Sequence, residues 1–320
     1  MNGGLAAGSK YLDAGKLYVA RFDASGSGQW LEVTAYRGTT DAGYVVNSAA
    51  DALLGARLVA DQLGATPMDR PEWGAVDPVT GEVYMTLTNS SSSSSGRGQG
   101  GSGSLDIDPA NPRAYTDNTS ASTGRQGNVN GHIIRWRENG GNAGTSLSWD
   151  IFLFGAESAA DPDEINLSGL TADNDFSSPD GLYFDGRGLL WIQTDDSAIR
   201  DLTNDKLLAA LPGSVGDGGP QMVTSSLSGT TVTTFVGRSA SGDSLRRFLV
   251  GPLGCEITGI TTTPDYRSLF VNVQHPDSPT LDGTDSWPHT SGDATQVGNG
   301  RRGRSATIVI TRDDGGPVAL

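Results

Sequence analysis

The chain has one cysteine, Cys255, among 320 residues, so no internal disulfide can form and the redox compartment is left open. Histidine is nearly as scarce. There are three, and no two stand at His-x-x-x-His spacing, which argues against a zinc site of that kind. Basic charge is also short. Twenty-two Lys and Arg against 37 Asp and Glu leave a formal charge of −15, which excludes a nucleic-acid partner because phosphate binding needs a clustered basic surface. No apolar run approaches the roughly 20 residues of a membrane-spanning helix. The first 20 residues carry no basic and apolar segments of a signal peptide, and the strand-like Lys16–Phe22 follows so soon that a start inside a longer domain is expected. No Gly-x-Ser-x-Gly elbow is present, which removes that serine-hydrolase reading.

Turn formers and short strands are abundant. The chain has 45 glycines and 15 prolines, and these separate brief β-branched and aromatic runs: GKLYVARF, EVYMTLTN, GHIIRW, LLWIQT, RRFLVG, SLFVNVQ and ATIVIT. The pattern predicts an all-β fold with one short helix within 41–64, where alanine and leucine recur at helical spacing. A hairpin is expected from Lys16–Phe22 and Trp30–Thr34 across a Gly-rich loop. Residues 90–104 are Ser- and Gly-rich and read as a loop. They lack Gly-Lys-Ser/Thr, so a phosphate-cradling loop is not expected there. Residues 161–178 and 276–304 read as further long polar loops.

One design recurs three times: an acid, a short strand, an Asp-containing turn and a second strand. It appears at Arg-Pro-Glu72-Trp before EVYMTLTN, at Ser-Pro-Asp180-Gly before LLWIQTDD and at Gly-Cys-Glu256-Ile before SLFVNVQH. Such repeats suggest β-propeller blades, whose innermost strands all face one axis. The acids are 108 and 76 residues apart, which suggests about two blades per interval at roughly 40–50 residues each.

Equivalent positions on inner strands would bring Glu72, Asp180 and Glu256 to one axial pocket. Three anions that close must be neutralised by protons or cations, and oxygen donors suit hard cations such as Ca²⁺ or Fe³⁺. For any single acid the ordinary alternative is capping a turn or pairing with an arginine. Arg70, two residues before Glu72, would face the same way and could clamp phosphate with its planar fork, or simply pair with a nearby acid. Cys255 neighbours Glu256 and would point to the opposite face, as a buried core thiol. His132 reads as structural, His275 as a turn residue that could approach the site, and His289 as part of a polar loop.

At these residues the sequence resembles the PhoX-type alkaline phosphatases. The resemblance is carried by ATPMDRPEWGAVDPVTGEVYMTLTN, GHIIRWRE, SSPDGLYFDGRGLLWIQTD, FLVGPLGCEITGITTTPDYRSLFVNVQHP and RSATIVITRDDGG, in the family's order. It implies a six-bladed propeller with iron and calcium at its axis, here only the C-terminal blades, so that residues 1–320 form one partial propeller domain. It implies hydrolysis of small phosphate esters in the periplasm or outside the cell. It further implies that Glu72, Asp180 and Glu256 are metal ligands and Arg70 a phosphate contact, with Arg312 standing where the family commonly has a phosphate-binding lysine. Family members are about twice as long, and their N-terminal half supplies an export signal, further acidic ligands and an iron-binding cysteine. A monomer is expected at full length. The competing readings are a calcium-dependent propeller lactonase or esterase and a non-catalytic propeller fragment.

Overall fold

The structure is a computed structural model that describes residues 14–90, 105–119, 123–141, 143–195, 198–199, 201–276, 287–288 and 303–319. The Ser-rich loop expected at 90–104 and His289 fall almost wholly outside the described residues.

The expected first hairpin is present as β1 (Tyr18–Phe22) and β2 (Ser27–Glu32), followed by a small pair, β3 (Gly38–Thr39) and β4 (Val45–Val46). Where one helix was expected there are two, α1 (Ala49–Leu54) and α2 (Ala56–Leu63). The break has a packing cause. A Cβ on Gly55 would lie 2.2 Å from the Tyr44 ring, so the chain turns at the one residue that fits. Ser48 and Asp51 form a capping box at the start of α1.

Three antiparallel sheets follow in chain order. Blade 1 runs β5 (Pro71–Val76), β6 (Val83–Leu87), β9 (His132–Asn139), β10 (Ser146–Phe154), and β2 extends it beyond β10. A side pair, β7 (Tyr115–Asp117) and β8 (Arg125–Gly127), precedes β9. Blade 2 runs β11 (Pro179–Phe184), β12 (Leu190–Thr194), β13 (Lys206–Ala210), β16 (Leu245–Val250). Between β13 and β16 a hairpin of β14 (Gly219–Thr224) and β15 (Thr231–Val236) reaches back to lie parallel against β10. Blade 3 runs β17 (Glu256–Thr262), β18 (Ser268–Gln274), β19 (Ala306–Thr311).

The blades stack through two apolar layers. Tyr84, Ile133 and Phe152 of blade 1 meet Leu182, Phe184, Leu190 and Ile192 of blade 2. Trp191 and Leu207, on the other face of blade 2, meet Ile257, Leu269, Val271 and Val273 of blade 3. Every residue of β12 is therefore buried, which explains why its run does not alternate. Cys255 lies in this second layer, as expected. Blade 3 buries only one face of β18. Phe270 and Val309 stay exposed on the other.

The inner strands β5, β11 and β17 are neighbours, with β11 packed against both of the others. The acids thus lie on three consecutive blades, not two blades apart. The intervals are long because each blade carries insertions: 88–131 and 155–178 around blade 1's outer strands, and the β14–β15 hairpin in blade 2. Fully buried Arg113 stabilises the first of these. Its guanidinium donates to the carbonyls of Gly131, Gly155 and Ile165 and lies 4.6 Å from the Phe154 ring centroid.

Candidate metal and phosphate site

Each inner strand begins with the same backbone device. The residue two before the acid has positive φ: Arg70 at 48°, Ser178 at 48° and Gly254 at 67°. Glycine takes this region without strain, whereas arginine and serine do not, and such strain persists only where surrounding contacts enforce it. At Arg70 they include Arg70 N–H to Met68 O at 3.0 Å and Thr88 N–H to Arg70 O at 3.1 Å. At Ser178 the equivalent bond comes from Asp195 N–H, also 3.1 Å.

The acid follows directly. In β5 and β11 the pairing register shifts between Pro71 and Gly74 and between Pro179 and Leu182, so Glu72 and Asp180 sit in bulges that re-aim their side chains. Glu256 stands in register opposite Gln274, whose amide donates to its carboxylate at 2.5 Å. The Thr86 hydroxyl of blade 1 donates to the Asp180 carbonyl at 2.7 Å, tying the first two blades together at the site.

The three carboxylates are electrostatically coupled across neighbouring inner strands. Partial burial, then the charges of Glu256, Glu72 and Asp195, push the Asp180 carboxyl up to about 7, so its proton is held and offered to Glu256. Burial and the Asp195 charge raise Glu256 as well, opposed by His275. Glu72 and Arg70 remain open to solvent, with Arg70 Nη2 3.4 Å from Glu72 Oε1 and Nη1 2.9 Å from Asn89 Oδ1. Of the two alternatives for Arg70, the structure shows the pairing with an acid.

Two residues join that sequence reasoning did not place there. Donor atoms of Asp195, Glu256 and His275 all lie within 4.8 Å of one another. His275, read as a turn residue, does turn at φ 36°, but its Nε2 also lies 3.3 Å from Glu256 Oε2. Its Nδ1 is 3.3 Å from the Gly254 carbonyl. Without a cation Nε2 can donate to Glu256, and with its proton on Nδ1 toward Gly254 the same imidazole could bind a metal through Nε2. The two carboxylates and imidazole of that group, with Glu72 and Asp180 on neighbouring inner strands, suit a hard cation.

Arg312 is not brought to this group. It follows Thr311, which pairs with Ser268, six residues along β18 from Gln274 and so about 20 Å away. It bonds Asp314 at 2.6 Å. A cavity of about 570 Å³ lined by Trp30, Met85, Trp136 and Pro71 contains none of the site's acids.

The raised Asp180 gives a pH prediction. Between its unfolded value near 3.8 and about 7 the folded protein binds more protons than the unfolded chain, so stability falls as pH rises. The melting temperature of metal-free protein should drop from about pH 5 to about pH 8. Asp180→Asn should flatten that drop in part, because Glu157, raised to about 7 by burial and by Asp117, Asp201 and Asp175, contributes with the same sign. An unchanged slope in the variant contradicts the assignment.

Consecutive blades, two of four strands and one of three among the described residues, whose inner strands each begin with an acid, define a β-propeller with an acidic axial site. The chain belongs to the alkaline phosphatase PhoX family, whose sequence model matches residues 2–277. It is similar to a solved structure described as Pseudomonas fluorescens PhoX in complex with vanadate, a transition state analogue, at 33% identity and a TM-score of 0.68. That match covers 99% of this chain and 48% of the other, so the chain spans about half the length of its relative. Comparison with curated proteins gives no match.

Proposed function

We propose that this propeller segment provides the metal- and phosphate-binding wall of a phosphomonoesterase. The observation that carries the reading is the donor group of Asp195, Glu256 and His275, within 4.8 Å of one another at the ends of neighbouring inner hairpins, with the Arg70 guanidinium beside Glu72 on the next inner strand but one. Glu72, Asp180 and Glu256, with Asp195 and His275, would hold the cations, and we propose calcium and iron from the hardness of the donor set. Bound there, the cations would offset phosphoryl charge and lower the pKa of water.

The remaining roles fall to the protein. Arg70 would hold two non-bridging phosphoryl oxygens with its fork, most strongly as charge builds in transit to the transition state. Gln274, by hydrogen-bonding Glu256, would fix that carboxylate. Asp180 would release its proton as cations bind, so metal affinity would rise with pH through about 7. The substrates proposed are small phosphate esters, met outside the cytoplasm.

Parallel assays of metal-loaded protein with a phosphomonoester and with a lactone test the reading. Release of inorganic phosphate without lactone hydrolysis supports it, because Arg70 suits a phosphoryl group. Lactone hydrolysis alone would replace it with the esterase reading.

A further inference from the structure

Arg70 is anchored by its backbone more firmly than by its side chain. Pro71 and the bonds to Met68 and Thr88 fix its Cα, yet the side chain is 45% exposed and its contact to Glu72 is long at 3.4 Å. The short contact is Nη1 to Asn89 Oδ1, at 2.9 Å. Asn89 is buried, 8% exposed, and its Nδ2 donates to Ser178 Oγ at 3.1 Å. A guanidinium can only donate, so one orientation of the Asn89 amide satisfies both neighbours: oxygen toward Arg70, nitrogen toward Ser178. Ser178 is the left-handed residue that precedes Asp180 on the next blade, and its carbonyl receives Asp195 N–H.

We propose that Asn89 is a positioning residue: it holds the Arg70 guanidinium of blade 1 in fixed register with the carboxylates that Ser178 places on blade 2. An arginine side chain has much rotamer freedom, and ordering it beforehand removes part of that entropic cost from ligand binding. The identity of the ligand rests on the phosphatase reading, but the ordering of Arg70 does not.

The test compares wild type with Asn89→Ala, Asn89→Asp and Arg70→Ala. Arginine side-chain ¹H–¹⁵N spectra, with Arg70 assigned by its loss in Arg70→Ala, should show hindered rotation of its Nη groups in wild type. That hindrance should be lost in Asn89→Ala and retained in Asn89→Asp, which keeps an acceptor. Arg70 signals unchanged in Asn89→Ala overturn the proposal.

Orthophosphate affinity of metal-loaded protein gives the second readout. Asn89→Ala should weaken it about tenfold, and by no more than about twofold when Arg70 is already alanine. Equal weakening in both backgrounds would show that Asn89 acts on the fold and not through Arg70, and would also overturn the proposal. If wild type binds no orthophosphate, the phosphatase reading fails and the spectra still decide the role of Asn89.

Discussion

Replacing Glu256 with alanine should strip metal from the protein and lower phosphatase activity by at least about a hundredfold, since even groups that only support a ligand commonly account for 10- to 100-fold in affinity or activity. The size follows from where Glu256 stands. It is shared: Gln274 donates to it, His275 Nε2 lies 3.3 Å away, Asp180 offers it a proton and Asp195 faces it. Its removal leaves Asp195 and His275 without their common partner and removes the largest single charge acting on Asp180. The Asp180 carboxyl should then titrate lower than about 7 in the metal-free protein. Metal content by plasma mass spectrometry and the Asp180 titration by NMR check the two halves separately. Full metal occupancy with an unmoved Asp180 would contradict the assignment.

Arg70→Gly should lower kcat/KM for phosphate esters by about 10²–10³, the range seen when one preorganised donor to transition-state charge is removed. Glycine is the informative replacement because Arg70 sits at φ 48°. A non-glycine residue there carries strain of about 1 kcal/mol or more, which glycine relieves. The variant should therefore be as stable as wild type, or more so, while losing function. Thermal melts and steady-state kinetics on the same preparation separate the effects. A large loss of stability would mean that the side chain serves the fold. Arg70→Lys keeps the charge but loses the planar fork, and should recover only part of the rate.

The sequence made the inner strands legible because each acid sits at the head of a hairpin whose two strands are apolar and whose turn carries aspartate. That was enough to group Glu72, Asp180 and Glu256. The number of blades between them was not legible, because spacing cannot distinguish an extra blade from insertions such as the β14–β15 hairpin. Helix count went astray at Gly55, where the limit is set by the Tyr44 ring and not by periodicity. Asp195 was not singled out, and His275 was named as able to approach the site but read first as a turn residue, although a signal existed for both. The second strand of each hairpin ends in register with the start of the first, so polar residues just past LLWIQT and SLFVNVQ lie at the same rim as the acids. Following the repeat to its last residue would have found both. Arg312 was carried over on a strand ending alone, and register puts it at the opposite end of blade 3. The left-handed turns at Arg70 and Ser178 left no mark, because neither residue type announces positive φ.

The most direct test is anomalous X-ray scattering from crystals of the protein grown with calcium and iron. The convergent-carboxylate site predicts peaks bonded to oxygens of Glu72, Asp180 and Glu256 together. Metal-loaded crystals with peaks elsewhere, and with those three carboxylates unliganded, would contradict it.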